Sequence, residues 1–153
     1  EREKHVAIQE RSVDEDAEVV AAKLHRQGLR LERDYGSYRE LYGVLTQFLP
    51  APDLVVYLRA DVSTLLERIA RRGRSYELDI RPEYLAQLND LYEDWIRRFT
   101  LCPVLTVPAG DLNYVAHDSH LDLIVSKIYD KLEGKEEVVF REEEVARVNG
   151  RLD

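Results

Sequence analysis

Two short clusters of charged residues carry the side chains best suited to chemistry in this sequence. The first is Glu10-Arg11-Ser12 followed by Asp16, which places a guanidinium between two carboxylates. A carboxylate oxygen suits Mg²⁺, an arginine suits phosphate or developing negative charge, and an acceptor such as Asp16 suits amino groups on a base. The alternative is a surface ion pair between Glu10 and Arg11, with Asp14 or Asp16 capping the next helix.

The second cluster runs from Arg68 to Glu77 and contains four arginines. Arg68 and Arg72 are four residues apart and share a helix face, Gly73 ends the helix, and Arg74 follows in a loop. Like charges this close repel one another, and an anion such as a phosphoryl group relieves that repulsion. The alternative is a solvated basic helix end that interacts with its own dipole.

Alternating strands and helices must position these clusters. Short apolar runs predict strands at residues 5–8, 54–58 and 103–107, the second of them covered on both faces. Helical spacing and end signals predict helices over residues 14–27, 34–49 and 62–72, another from Pro82, and a last one ending at Gly134. This order predicts an α/β fold with a parallel sheet between two helical layers, whose ligands lie beyond the carboxyl ends of the strands.

Composition limits the classes of protein. The 153 residues suit one domain, which we assign to residues 1–134, with residues 135–153 as a charged tail or peripheral helix. With 22 basic and 30 acidic residues the net charge is −8, which argues against general nucleic-acid binding. No apolar run is long enough to span a membrane. The single cysteine, Cys102, excludes an intrachain disulfide and favours a cytoplasmic setting.

The two clusters together resemble the deoxynucleoside kinase family, most of all its bacterial deoxyadenosine and deoxyguanosine kinases. The resemblance extends from Val6 to Leu132 and rests on three motifs that occur in the family's order and spacing. They are Gln-Glu-Arg-Ser-Val-Asp-Glu-Asp-Ala-Glu from Gln9, Glu-Arg-Asp-Tyr from Glu32, and Arg-Arg-Gly-Arg-Ser-Tyr-Glu from Arg71 with the following Pro-Glu-Tyr-Leu.

The resemblance implies a P-loop kinase-like fold and transfer of the γ-phosphoryl group of ATP to the 5′-hydroxyl of a deoxynucleoside, with Mg²⁺. It assigns Glu10 to the metal, Arg11 to the 5′-hydroxyl and transferred phosphate, and Asp16 to the nucleobase. It also implies a homodimer formed through long helices. The remaining assignments are the ATP-phosphate arginines Arg68, Arg72 and Arg74, the sugar 3′-hydroxyl contact Glu77, and Asn113 and Tyr114 beside the adenine of ATP.

The sequence departs from the family pattern in two respects. It contains no Gly-x-x-x-x-Gly-Lys-Ser/Thr phosphate loop and lacks the family's general-base glutamate, which lies soon after that loop. The absence of methionine also suits an internal fragment. We therefore expect the first strands of the fold to be missing from this chain, which alone should not phosphorylate a deoxynucleoside.

Two other functions remain open at this stage. A nucleotide kinase such as a thymidylate kinase would also have lid arginines and a parallel sheet, although the spacing from Glu10 to Asp16 argues against it. A non-catalytic dimerisation or binding module that kept the fold is the third hypothesis.

His117 and His120 are expected to lie in an exposed loop and not to bind a metal ion, because no further histidine or cysteine partner accompanies them. The preferred base is not determined by Asp16.

Overall fold

The computed structural model describes residues 7–10, 15, 19, 32–77 and 80–150. In chain order the elements are α1 (Glu32–Leu45), a 3-10 helix (Thr46–Phe48), β1 (Val55–Arg59), α2 (Val62–Arg72), a second 3-10 helix (Ser75–Glu77), α3 (Pro82–Arg98), β2 (Val104–Pro108), α4 (Asp118–Leu132) and α5 (Glu142–Val148). None of the helices in these ranges has both the length and the apolar character needed to cross a membrane.

Strands β1 and β2 pair in parallel, from Val55 opposite Val104 to Arg59 opposite Pro108. Helices α2 and α3 lie between them in the sequence, as a parallel pair requires, because the chain must return to the starting edge before the second strand. The carboxyl ends of both strands therefore meet at one edge of the sheet. The predicted α/β class with a parallel sheet is confirmed.

Helices cover the two faces of this sheet. On one face the Tyr57 ring stacks on Tyr92 of α3, with ring centroids 6.2 Å apart. On the other face Leu105 and Val107 are fully buried and cluster with Ile124 of α4. Residues two apart in a strand point to the same side, so the odd and even positions of the strands contact different helices. The described residues thus have the helix–sheet–helix layering that the sequence predicted.

A second core lies along α3. Leu91 and Trp95 are buried there with Val19, and the Phe99 ring meets Trp95 edge to face at a centroid distance of 5.5 Å. Pro82 occupies the first turn of α3, as predicted, because its fixed φ suits that turn and its missing N–H is not needed there. The apolar stripe predicted on this helix is therefore the side that packs.

The first and second predicted strands need correction. Ala7 and Ile8 have no regular secondary structure and Ile8 is 97% exposed, while His5 and Val6 lie outside the described residues. Strand β1 forms, but Val56 and Leu58 on one of its faces are 38% and 46% exposed. The reason is that the apolar cluster on this face centres on β2, so the β1 half of the face is only partly covered.

The apolar stripes of two predicted helices are also more exposed than their spacing suggested. Helix α1 forms where it was expected, yet its residue Leu41 is 58% exposed. Phe48, in the 3-10 helix that follows, is 79% exposed. In α4, Leu121 and Leu132 are exposed and Ile124 is buried. Helical periodicity identifies the helix, but the neighbours available for packing decide which side is covered.

The C-terminal segment packs against the body of the protein. Val138, Phe140, Val145 and Val148 contact the core cluster around Leu105 and Ile124, so this segment is a peripheral helix with its preceding turn. The domain boundary at residue 134 stays a prediction.

His120, expected in an exposed loop, instead lies in α4 and is 2% exposed. Its burial is possible because both its ring nitrogens are hydrogen-bonded to backbone groups.

Candidate functional site

Helix α2 places two arginines, one turn apart, on one face. It begins after Asp61, whose Oδ1 accepts hydrogen bonds from the Thr64 N–H at 2.7 Å and the Ser63 hydroxyl at 2.8 Å. These bonds lower the pKa of Asp61, and the bond from the Thr64 N–H has the largest effect. They complete the predicted N-cap. Thr64, Arg68 and Arg72 follow at spacings of four, so they lie on one face across about 12 Å of helix.

The end of α2 turns the chain back so that a carboxylate meets two arginines. Gly73 adopts φ 67°, and its N–H donates to Ile69 O at 3.1 Å. Glu77 Oε2 then accepts from Arg72 Nε at 2.9 Å and Nη2 at 2.5 Å, and Oε1 lies 3.5 Å from Arg74 Nη1. We call Arg72, Arg74 and Glu77 the arginine–glutamate cluster.

The arginine–glutamate cluster is suited to an anion. Glu77 is 9% exposed, whereas the side chains of Arg72 and Arg74 are 50% and 51% exposed. Two guanidinium groups contact one buried carboxylate, and about half of each arginine side chain faces solvent. A phosphate group can accept the remaining donors in the forked geometry that guanidinium favours.

Arg68 connects this helix to the loop after β2. Its Nη2 donates to the carbonyl oxygen of Ala109 at the carboxyl end of β2. Beside this contact an open cavity of about 250 Å³ lies between the loops that follow the two strands. We call it the strand-end cavity, and its lining residues are Arg59, Ala60, Asp61, Thr64, Pro108, Gly110 and Asp111. Sheets of this class bind ligands at this edge.

A fixed guanidinium forms one wall of the strand-end cavity. Arg59 donates to both carboxylate oxygens of Glu93 on α3, each at 2.7 Å, and Glu93 Oε1 also accepts from the Tyr57 hydroxyl at 3.1 Å. Burial, followed by the charge of Glu93, raises the pKa of Tyr57 to about 12. The hydrogen bond to Glu93 raises the pKa of Arg59, so this wall holds a two-bond ion pair between Arg59 and Glu93.

Sequence reasoning did not identify this wall. Arg59 and Glu93 are 34 residues apart, and Asp111 comes from a third segment, so only the tertiary structure joins them. One signal was available, because Arg59-Ala60-Asp61 and Gly110-Asp111 are the polar runs that directly follow the two predicted strands. Polar residues at those points are where an α/β sheet places its site.

Asn113 and Tyr114, predicted beside the adenine, lie in the loop after β2. The Asn113 Oδ1 accepts from the Ala116 N–H at 3.2 Å, which closes a turn in the loop. Tyr114 is half-buried and packs against the core cluster that contains Leu105. The residue of this loop that lines the strand-end cavity is Asp111. The assignment of Asn113 and Tyr114 stays a prediction.

The first sequence cluster is only partly described. Glu10 is exposed in an irregular segment, and Arg11 and Asp16 lie outside the described residues. Glu15, adjacent to Asp16, is helical and its Oε1 accepts from the Tyr92 hydroxyl on α3, while Val19 is fully buried against the same helix. This part of the chain therefore contacts α3, and the meeting of the two clusters at one site stays a prediction.

Comparison with known proteins identifies the family. A family model described as deoxynucleoside kinase matches residues 1–133. The chain belongs to the deoxynucleoside kinase family. Members of this family have the P-loop kinase fold, so the predicted fold class is confirmed for this deoxynucleoside kinase chain. Residues 134–153, which include α5, lie beyond the match.

Individual relatives of this deoxynucleoside kinase chain are similar over much of its length. It is 33% identical over 123 residues to the deoxyadenosine/deoxycytidine kinase of Bacillus subtilis (strain 168), covering 79% of this chain and 57% of that protein. It is 35% identical over 95 residues to the deoxyguanosine kinase of the same organism, covering 60% and 46%. For the deoxycytidine kinase of Bos taurus the identity is 32% over 142 residues, covering 85% and 53%. The chain spans about half the length of these relatives.

Proposed function

We propose that the protein containing this chain transfers the γ-phosphoryl group of ATP to the 5′-hydroxyl of a deoxynucleoside. The observation that carries the proposal is the arginine–glutamate cluster, which ends the helix whose Arg68 contacts the loop at the strand-end cavity. The names of the relatives, which are deoxynucleoside kinases, give the same chemistry. Transfer forms a bond from the 5′-oxygen to the γ-phosphorus and breaks the bond from that phosphorus to the β,γ-bridging oxygen, which leaves with ADP. The 5′-hydroxyl proton passes to the general-base glutamate that the family resemblance places soon after the phosphate loop.

The donor nucleotide fits the arginine-bearing face of α2. Arg72 and Arg74 bind the phosphates, because their side chains are about half exposed and the guanidinium fork matches phosphate oxygens. Charge spreads over the equatorial oxygens of the phosphoryl group during transfer, so donors fixed at those oxygens stabilise the transition state. Arg68, nearer the strand-end cavity, contacts the part of the donor closer to that cavity.

Glu77 contributes in two ways under this proposal. Without ligand its buried carboxylate holds Arg72 and Arg74, which keeps two like charges in one place. With a deoxynucleoside bound, the same carboxylate accepts from the sugar 3′-hydroxyl, as the family resemblance implies. Glu77 would then link the presence of the acceptor to the position of the phosphate-binding arginines.

The first cluster completes the assignment. Glu10 provides a carboxylate for Mg²⁺, and an exposed single carboxylate fits this ion because Mg²⁺ is often bound through one or two carboxylates together with substrate phosphates and water. Arg11 contacts the 5′-hydroxyl and the transferred phosphate, and Asp16 accepts from the nucleobase. We also propose a purine preference, which rests on resemblance to the bacterial deoxyadenosine and deoxyguanosine kinases.

A substrate assay on the full-length protein tests the activity. We expect ATP-dependent phosphorylation of deoxyadenosine or deoxyguanosine and no phosphorylation of thymidine monophosphate. Phosphorylation of the monophosphate would instead identify a nucleotide kinase. If no deoxynucleoside is phosphorylated, the hypothesis of a non-catalytic module is favoured. The 153-residue chain alone serves as the matched control, and we propose that it has no turnover because it lacks the phosphate loop.

Asp16→Ala tests the base contact within this activity. We expect the deoxynucleoside KM to rise about tenfold, since a hydrogen bond to a charged group contributes about 1.5 kcal/mol, and the ATP KM to stay unchanged. Asp14→Ala, two residues away, is the control for loss of a first-turn acid. Equal effects on both KM values would contradict the assignment of Asp16.

We further propose a cytoplasmic homodimer. The exposed apolar residues of α1, Leu41 at 58% and Val44 at 54%, support a helix-to-helix contact there, because a contiguous apolar surface is commonly covered by a partner. Sedimentation of the full-length protein should give the dimer mass, and Leu41→Glu should shift it toward the monomer. Leu121→Glu on α4, a residue 44% exposed, is the control.

A further inference from the structure

The chain beyond the family match returns to the wall of the strand-end cavity. After α5, Asn149 Nδ2 donates to the backbone oxygen of Asp111 at 3.1 Å. Asp111 lines the cavity, and its neighbour Leu112 is fully buried in the core cluster against which Val145 and Val148 pack. The same segment therefore contacts the cavity loop through one polar bond and through the core beneath it.

His120 connects the loop and α5 from inside the protein. Its Nδ1 accepts from the Asn113 N–H at 2.8 Å, and its Nε2 lies 3.0 Å from Val148 O. A backbone N–H only donates and a carbonyl oxygen only accepts, so these two partners require a neutral ring with its proton on Nε2. One buried side chain thus bonds the loop after β2 to the last residue of α5.

A third contact secures α5 to α4. Lys127 Nζ lies 2.7 Å from Glu144 Oε1, and the Lys127 side chain is only 13% exposed. The hydrogen bond from Lys127, followed by that from the Arg141 N–H, lowers the pKa of Glu144, so this carboxylate stays charged over the neutral range. Because α4 also carries His120, α5 is held against the same helix that reaches the loop.

We propose that α5 positions the loop wall of the strand-end cavity, and that His120 and Asn149 are positioning residues for the phosphoryl donor. The proposal rests on the proposed function in one respect, the identity of the ligand as ATP. In the donor-bound protein the loop carrying Asp111 must keep its place opposite Arg59 and Arg68. Asn149, outside the family match, supplies that restraint through its bond to the Asp111 backbone oxygen, and His120, inside the match, supplies it by joining the Asn113 N–H to Val148 of α5.

The test uses Asn149→Ala and His120→Gln in the full-length protein, with Glu143→Ala on the exposed side of α5 as the control. Glutamine can still reach Val148 O with its amide but loses the acceptor for Asn113, so it removes the loop bond while keeping a polar residue. We expect each variant to raise the ATP KM about fivefold, which corresponds to about 1 kcal/mol for one hydrogen bond. The deoxynucleoside KM and the control should stay unchanged.

Hydrogen exchange separates this proposal from the proposed function. Without any substrate, the amides of residues 111–116 should exchange about fivefold faster in both variants than in the wild type, and the amides of α3 should not change. Unchanged exchange in the loop overturns the positioning role even if the protein is an active kinase. Faster exchange with an unchanged ATP KM, or with equal rises in both KM values, overturns it as well. If the wild type phosphorylates no deoxynucleoside, the proposed function fails while the exchange data still decide whether α5 positions the loop.

Discussion

Arg72 and Arg71 are neighbours in sequence with opposite surroundings. Arg72 bonds the buried Glu77 and lies on the face of α2 that carries Arg68. Arg71 pairs with Glu67 one turn earlier, where both side chains are about two thirds exposed, at 66% and 67%. A surface pair of this kind contributes little to stability, so its loss should be nearly silent. The two residues therefore form an internal comparison between a site arginine and a surface arginine.

Replacing Arg72 by alanine should lower kcat about a hundredfold in the full-length protein. Removal of one hydrogen-bond donor to the charge of a transition state typically lowers kcat by about this factor. Steady-state kinetics at saturating ATP and deoxynucleoside measure this directly. Arg71→Ala should keep kcat within about twofold of the wild type. A similar fall in both variants would mean that the helix end, not Arg72 itself, supports turnover.

Tyr57 gives a prediction for alkaline pH. Its pKa is raised to about 12 by burial and by Glu93, so folding favours the protonated phenol. The stabilisation is fully present below the ordinary value near 10 and is lost as pH rises from 10 toward 12. Glu93→Gln should therefore move the Tyr57 titration to lower pH, because one negative charge beside the phenol is removed.

Absorbance at the tyrosinate band measures this shift when each protein is compared with its Tyr57→Phe derivative, which isolates one phenol among nine tyrosines. Glu83→Gln, an exposed position on the same helix, should leave the titration unchanged. If Glu93→Gln has no effect, burial alone determines the raised pKa.

Local sequence signals account for part of the candidate site. Arg68, Arg72 and Gly73 were identifiable because helix periodicity and the residue that ends a helix are both properties of adjacent positions. The ion pair between Arg72 and Glu77 spans only five residues, and the turn between them brings the groups together. Arg59, Glu93 and Asp111 were not identifiable in the same way, since each comes from a different element.

Among the elements, α2 was predicted best and α4 least well in its orientation. Helix α2 runs from Val62 to Arg72, as the cap at Asp61 and the stop at Gly73 indicated. Both signals act on the backbone next to them, so they need no tertiary information. For α4 the inward side includes His120, whose burial depends on backbone partners in two other segments. The sequence of α4 alone contains no sign of those partners.

Gly73 is the element-level residue with the clearest substitution effect. Its φ is +67°, and an added Cβ would meet nothing within 4 Å, so the cost of Gly73→Ala is the left-handed backbone alone. We expect a loss of about 1 kcal/mol in the free energy of unfolding, measured by urea denaturation. Gly36→Ala in α1, where space is also open, should have the opposite sign and stabilise the protein by about 0.5–1 kcal/mol.

The two glycine substitutions together distinguish backbone conformation from packing. Neither new methyl group has a neighbour to contact, so packing predicts no change for either variant. A loss at Gly73 with a gain at Gly36 confirms that conformation decides the sign. A gain at both positions would show that α2 can continue through residue 73, which would also move Arg74 away from Glu77.

At the scale of the whole molecule, the structure joins the C-terminal segment to the central sheet. The core cluster of Leu105, Val107, Leu112 and Ile124 is contacted by residues both before and after α4. Runs of acids such as Glu142-Glu143-Glu144 suggested a tail because charge dominates the sequence there. The apolar residues there form only a three-residue run from Val138 to Phe140 and one i, i+3 pair, Val145 and Val148, which is too short a pattern to predict a packed element.

Phe140 tests whether this packing contributes to the stability of the whole protein. It is half-buried against the core cluster, whereas its neighbour Val139 is 50% exposed. Phe140→Ala in the full-length protein should lower the free energy of unfolding by about 2 kcal/mol, less than the 3–5 kcal/mol typical of a fully buried phenylalanine. Val139→Ala should change it by no more than about 0.5 kcal/mol. Urea denaturation, with the dependence of the free energy on urea held equal for both variants, measures the two changes. If Phe140→Ala lowers the free energy of unfolding as little as Val139→Ala, the segment after Gly134 adds no packing energy to the fold.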